Sequence, residues 1–152
     1  LSPSEEMPTL TYNCINRHIS RVVRTRMVSA TSPWANDPTI LEAKTHLVPI
    51  SHGEGRIIIS DELAKDLFAK GQVYTQYVTE EGVPVMSEPD NPNGSMFAIE
   101  GITSLDGRIL GKMGHSERTI GALANGKSDS LLKNISGDNC QNLFAAGVRY
   151  FN

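Results

Sequence analysis

The stretch from Ile19 to Ala30 constrains the fold most, because its apolar and polar residues partly alternate and β-branched residues are dense in it. Ile19, Val23 and Met27 share one face, interrupted by Arg21 and Thr25; Val22 and Val28 fall on the other, beside Arg24 and Arg26. A period near two with this composition predicts a β-strand. Partners for it are at hand. His46 to Ile50 and Arg56 to Ser60 are short apolar runs separated by the glycine-bearing loop 51-SHGEG-55, and Gln72 to Val78 is again strand-like. Met96 to Thr103 and Arg108 to Met113 flank 104-SLDG-107, a hairpin signal.

Helices have their own signals. Ser60 caps a helix with Asp61 and Glu62 near its positive end, Leu63, Ala64, Leu67 and Phe68 on one face, and Gly71 as a stop. Asn139 to Asn152 predicts a closing helix with Leu143, Phe144, Gly147, Val148 and Phe151 on its apolar stripe. Residues 1–13 read as irregular, 31-TSPWANDP-38 as a loop whose Trp34 is a surface lid or a core anchor, and 87-SEPDNPNGS-95 as too rich in proline and Asn-Gly for a regular element. After Glu117 comes a polar, glycine-bearing linker. The expected architecture is one α/β layer structure, strand-rich, with loops carrying the polar clusters.

With 152 residues there is enough chain for one sizeable core. A net charge of −3 gives no electrostatic footprint for nucleic acid. No apolar run approaches the ~20 residues of a membrane helix and nothing resembles a signal peptide, so no membrane is expected and the cytosol is the expected compartment. Cys14 and Cys140 lie far apart, and the histidines His18, His46, His52 and His115 lack metal-type spacing, so neither a disulfide framework nor a metal site is indicated. The sequons at Asn93 and Asn134 would matter only in a secreted protein. That the chain opens on Leu1 reads as a piece of a longer chain or a processed one.

Chemistry concentrates in 111-GKMGHSERTIG-121. A glutamate two residues from a histidine can fix its tautomer and leave the other ring nitrogen as a general base. Taken alone, His115 and Glu117 are equally two solvated residues in a turn. They follow an apolar strand, however, and ligands in open α/β sheets collect outside strand carboxyl ends. The glycines of 51-SHGEG-55 permit close backbone approach beside a substrate, or simply a tight turn, and 89-PDNPNGS-95 offers amide and backbone donors. His52, Gly53 and Asn93 are therefore candidates for residues near a substrate. Arg17, Arg21, Arg24 and Arg26 form a basic stripe, read as a solvated strand face or a contact for an acidic partner.

Read together, 8-PTLTYN-13, 49-PISHGEGR-56 and 89-PDNPNGSMFAIEGITSLDGRILGKMGHSER-118 resemble the C-terminal glutaminase domain of phosphoribosylformylglycinamidine synthase, the amidotransferase of purine biosynthesis. The resemblance runs from about Met7 to Phe151, and 141-QNLFAAGVRYF-151 is similar to the closing helix of the long, fused form of that enzyme. It implies part of a flavodoxin-like class I amidotransferase sandwich, with a β-hairpin and a C-terminal helix. It also implies a catalytic triad that hydrolyses glutamine, supplying ammonia for the ATP-dependent conversion of formylglycinamide ribonucleotide to formylglycinamidine ribonucleotide. His115 matches the family's catalytic histidine and Glu117 its orienting acid; Ser116 stands where the family more often has proline, a change expected to matter little. ATP and magnesium are implied only for a synthetase domain, which with glutamine is the expected partner.

The family's nucleophile lies in a Gly-x-Cys-x-Gly-x-Gln elbow, and no such segment occurs here. Neither 12-YNCIN-16 nor 138-DNCQN-142 has the flanking glycines such an elbow requires. Residues 1–152 are thus expected to be the C-terminal portion of a glutaminase domain, inactive alone. Two rival readings stay open: a non-catalytic interaction module that keeps the amidotransferase scaffold, and a complete hydrolase that uses Cys14 or Cys140 with His115.

Overall fold

The computed structural model describes residues 7–118 and 142–152. In chain order the elements are β1 (Thr9–Thr11), β2 (Ile19–Met27), α1 (Pro38–Glu42), β3 (His46–His52), β4 (Arg56–Ile58), α2 (Asp61–Ala69), β5 (Val73–Tyr77), β6 (Ile99–Thr103), β7 (Leu110–Lys112) and α3 (Leu143–Tyr150), with 3-10 turns at Pro33–Ala35 and Met96–Ala98. Five strands form one sheet in the order β3-β2-β5-β6-β7, and β1 pairs with β4 in a second, two-stranded one. Every pairing is antiparallel.

The larger sheet curls until its edges meet. β2 pairs with β3 from Ile19↔His52 to Thr25↔His46, and with β5 only over Thr25 to Met27. Register shifts between Val73 and Gln76 bend β5 against β6. Gly101 allows the tight passage there, since a Cβ at that position would stand 2.8 Å from the Thr75 hydroxyl and 3.1 Å from Lys112 Cβ. Just past β7, Gly114 forms an antiparallel bridge with Ile50, and the His115 N–H donates to the Pro49 carbonyl at 2.8 Å. The seam that closes the sheet is the segment carrying His115.

Alternation in β2 is realised in part: Ile19 and Val23 are buried on one face, and so is Thr25, read as an interruption, whereas Met27 is only half-buried. Ile19 and Val23 join Val48, Ile50, Tyr77 and Ala98 in a core within the curl. A second core lies under α2, where Ala64 and Leu67 meet Ile57, Ile59, Val73 and Ile99, with Leu63 and Phe68 packed against them. The Ser60 hydroxyl caps α2 by accepting the Leu63 N–H at 3.2 Å, and Gly71 ends it at φ +68°. The third core joins Ala35, Ile40 and Tyr74 to Leu143 and Ala146 of α3.

Four expectations are corrected. Residues 9–11, read as irregular, are strand β1, because Thr9 to Thr11 find Ile58 to Arg56 much later in the chain. The loop at 31–38 holds a 3-10 turn, and Pro38 opens α1, where a fixed φ suits the first helical position. The apolar stripe of α3 is not its buried face: Leu143 and Ala146 are buried, while Phe144, Val148 and Phe151 are exposed. Small residues decide that face, since a Cβ on Gly147 would sit 3.2 Å from the Trp34 ring. Lastly, the strand before His115 ends at a closing seam of an antiparallel sheet, not at the carboxyl end of an open parallel one.

Candidate active site

Three consecutive residues place the His115 ring. Gly114 must be glycine, because a Cβ there would lie 2.6 Å from the Val48 side chain and 2.9 Å from Glu100 Oε1. The His115 N–H is spent on Pro49, and the chain turns into a helical turn at 116–118, where the Arg118 N–H returns to the His115 carbonyl at 3.1 Å. The turn brings the Glu117 carboxylate to the ring: Nδ1 of His115 is 2.7 Å from Glu117 Oε1. Partial burial pushes the Glu117 carboxyl up, but its own backbone N–H, the hydrogen bond from His115 and the charges of His115 and Arg118 outweigh that and hold it below the ordinary value. An ionised Glu117 accepts from Nδ1–H, which leaves Nε2 with its lone pair.

The pair lines a cleft of about 400 Å³ together with Trp34, His52, Leu110, Lys112 and Phe144. Trp34 proves to be an anchor that also walls the cleft, its indole N–H donating to the Arg108 carbonyl at 3.0 Å. His52 stands on the opposite side of the closing seam, at the end of β3. Its ring lies over Gly55, where a Cβ would fall 2.2 Å from a ring carbon. Its Nδ1 is 3.1 Å from Asn13 Oδ1, and its Nε2 is buried with no hydrogen-bond partner among the described residues. Burial first, then the nearby His18 and His115, lower its pKa below the ordinary histidine value.

Asn13, which the sequence did not single out, organises this side of the cleft. It is fully buried; its amide donates to the Arg17 and His52 carbonyls at 2.9 and 2.8 Å, and its Oδ1 also accepts the Gly55 N–H at 3.1 Å. Asn93 does not line the cleft. It is fully buried, donating to the Gly55 carbonyl and the Tyr77 hydroxyl at 2.7 and 2.8 Å and accepting the Ser95 N–H, so it braces the loop below His52 and its sequon is closed. Gly53 also lies outside the lining, with open space where a Cβ would go. The structure thus brings His52, His115 and Glu117 together and leaves Gly53 and Asn93 behind them. Arg24 and Arg26 of the basic stripe are engaged within the fold, on Thr45 at 3.2 Å and Gln76 at 3.0 Å.

Residues 2–151 match the CobB/CobQ-like glutamine amidotransferase domain. The chain belongs to that family. It is 31% identical over 133 residues to the phosphoribosylformylglycinamidine synthase subunit PurQ of Salinibacter ruber, covering 84% of this chain and 55% of that subunit. To the PurQ subunit of Treponema denticola it is 35% identical over 147 residues, covering 93% of this chain and 52% of the relative. The chain spans about half the length of the curated relatives it matches. A solved structure of PurLQS from Thermotoga maritima has the same fold, with a TM-score of 0.65 at 21% identity, over 96% of this chain and 54% of that one.

The Cys14 thiol points to the Pro92 carbonyl at 3.8 Å and is not part of the cleft lining, while Cys140 lies outside the described residues. Among the described residues, no group of three or more His, Cys, Asp or Glu side chains is arranged to hold a metal ion, and no helix is long and apolar enough to cross a membrane. Another cluster, Glu100, Lys112 and Thr75, packs against Gly114 and was not singled out in the sequence. The available signal was a charged residue inside each of two apolar strand runs, 99-IEGI-102 and 109-ILGKM-113.

Proposed function

We propose that this chain supplies the histidine–acid half of the glutaminase site of a phosphoribosylformylglycinamidine synthase. The observation that carries the reading is the 2.7 Å contact between His115 Nδ1 and Glu117 Oε1 on the wall of an open cleft. Family membership and likeness to PurQ subunits support it.

In this reading a cysteine thiol from another segment gives its proton to His115 Nε2 and attacks the side-chain amide carbon of glutamine. Glu117 holds the ring in the tautomer that exposes Nε2 and stabilises the imidazolium. The proton passes to the departing nitrogen, ammonia leaves, and water activated by the same imidazole releases glutamate from the thioester. Ammonia then serves the ATP-dependent amidation of formylglycinamide ribonucleotide. ATP and magnesium belong to the synthetase domain, the chain's functional partner, and the cytoplasm is the proposed compartment. These 152 residues contain no elbow cysteine, so the chain by itself does not turn over glutamine.

The test uses the complete enzyme. His115→Ala should lower glutamine-dependent synthesis by roughly 10²–10⁴-fold, the usual yield of a positioned acid–base group. Ammonia-dependent synthesis should persist, because free ammonia bypasses the glutaminase site. Equal loss with both nitrogen sources would assign His115 a structural role. An unaffected glutamine rate would favour a scaffold kept for interaction alone.

A further inference from the structure

At the wall of the cleft lies a largely buried ion pair that the glutaminase reading does not use. Glu100 of β6 is fully buried and the Lys112 side chain of β7 is 7% exposed; Lys112 Nζ stands 3.6 Å from Glu100 Oε1. The other carboxylate oxygen accepts from the Thr75 hydroxyl. Among the described residues, two contacts run from this pair to the neighbours of His115. Glu100 Oε1 accepts the Gly114 N–H at 2.6 Å, and Lys112 Nζ donates to the Ser116 hydroxyl at 3.3 Å. Ser116 is itself buried. With the His115 N–H on Pro49, residues 114, 115 and 116 are each tied down by a different partner.

Simple filling of the curled sheet does not explain such a pair. Two apolar side chains of similar volume would avoid the desolvation cost of two buried charges. They could not accept the Gly114 N–H or donate to Ser116. Among the described residues, the contacts to Gly114 and Ser116 require the pair's hydrogen-bonding capacity, as does the one from Thr75.

We propose that Glu100 and Lys112 are positioning residues for His115: one end of the ion pair fixes the peptide before it and the other fixes the residue after it. This rests on the reading of His115 as the glutaminase base. Glu117 orients the ring from a side chain 55% exposed, a weak constraint unless the backbone beneath is held. Reacting groups tolerate about 0.5 Å of misplacement before rates suffer.

The experiment compares Lys112→Met, Ser116→Ala and Glu100→Gln in the complete enzyme. Glutamine-dependent and ammonia-dependent rates are measured, each normalised to the sites that react with a thiol-directed glutamine analogue. Lys112→Met and Ser116→Ala should each lower glutamine-dependent kcat about tenfold with KM little changed, and the double variant should be no worse than the poorer single one. The acid limb of the kcat/KM pH profile should shift, ammonia-dependent synthesis should hold, and Lys112→Arg or Ser116→Thr should restore much of the rate. Ser116→Ala is the variant least able to unfold the protein, so misfolding of Glu100→Gln leaves the outcome readable. If all folded variants keep wild-type kcat and pH profile per active site while His115→Ala abolishes glutamine use, the positioning role falls and the glutaminase reading stands. If His115→Ala itself leaves glutamine use intact, that reading falls and takes the positioning role with it.

Discussion

Two histidines line the cleft on either side of the closing seam of the sheet, and they differ in the partner at one ring nitrogen and in the access to the other. In both, Nδ1 meets an oxygen: Asn13 Oδ1 at 3.1 Å for His52, Glu117 Oε1 at 2.7 Å for His115. An oxygen at Nδ1 favours the proton on that nitrogen, so in each case a neutral ring carries its lone pair on Nε2. The partners differ, because an amide oxygen gives no charge stabilisation to a ring that gains a proton and a carboxylate does. The surroundings differ in the same sense. His52 Nε2 is buried without a partner among the described residues, whereas the His115 side chain is 33% exposed at the cleft. A histidine, a glycine-bearing loop and a nearby acid appear in both 51-SHGEG-55 and 111-GKMGHSERTIG-121; the oxygen at Nδ1 and the access to Nε2 decide between them.

The sharpest way to break the comparison is to give His115 the kind of partner His52 has. Glu117→Gln replaces the carboxylate with an amide of the same shape. In the complete enzyme it should cost roughly 10²–10⁴-fold in glutamine-dependent kcat while ammonia-dependent synthesis is kept. Steady-state rates with each nitrogen source read it directly. A Glu117→Gln enzyme within a few-fold of wild type would mean that the charge of the partner is not what distinguishes the two rings.

On the other side of the seam the losses should be in stability. Asn13→Ala strips the acceptor from the Gly55 N–H and His52, and the donor from two carbonyls, in a fully buried site. Unsatisfied buried groups cost ~1–3 kcal/mol each before relaxation or entering water offsets part of it, so a net destabilisation of about 2–4 kcal/mol is expected by chemical denaturation. A loss under ~0.5 kcal/mol would show that His52 is not held through Asn13.

How much of this was legible beforehand follows from where each constraint lives. Strand β2, the capped helix α2 and the 104–107 hairpin could be read because their signals are local: alternation, Ser60 with Asp61 and Glu62, and Gly107 at φ +71°. Strand β1 was not legible, since three mostly exposed residues become a strand only by meeting β4. Neither was the buried face of α3, which is set by how closely Gly147 lets the Trp34 ring approach. For the candidate site, His115 and Glu117 were found because two residues carry the motif. Asn13, Glu100 and Lys112 were not, since each acts through contacts that only the curled sheet assembles. Asn93 drew attention as a polar loop residue, and the fold uses all of that polarity internally.

The two glycines of 51-SHGEG-55 sharpen the contrast at a smaller scale. A methyl group at Gly55 would enter the His52 ring, at 2.2 to 2.6 Å from three of its atoms, whereas one at Gly53 would meet nothing within 4 Å. Gly55→Ala should therefore destabilise by ~1–3 kcal/mol through overpacking. Gly53→Ala should stay within about ±0.5 kcal/mol. Denaturation midpoints of the two variants, measured side by side, check the claim. Equal effects would mean that the His52 ring does not rest on Gly55.

The smallest expected effect is in pH dependence, and it tests the comparison on the wild-type protein. The pKa of His52 is lowered by burial and by His18 and His115, so the unfolded chain takes up that proton more readily than the folded one. Its contribution to stability is complete above the ordinary histidine value of about 6.5 and is lost as pH falls through the lower folded-state value. Glu117 is depressed too, so its contribution is present above the ordinary carboxyl value of about 4.3 and is lost as pH falls through its own folded-state value. Acidification should then weaken the fold through His52 from about pH 6.5 downward, and in part through Glu117 from about pH 4.3 downward. Both groups are partly solvated, so each contribution is modest. Denaturation midpoints across this pH range, with ring-proton NMR to follow each histidine, measure the two contributions. His52→Gln should remove the first contribution and leave the second. If the His52 ring instead titrated above 6.5, the buried Nε2 would have to be reaching an acceptor, and the distinction between the two histidines would rest on the cleft alone.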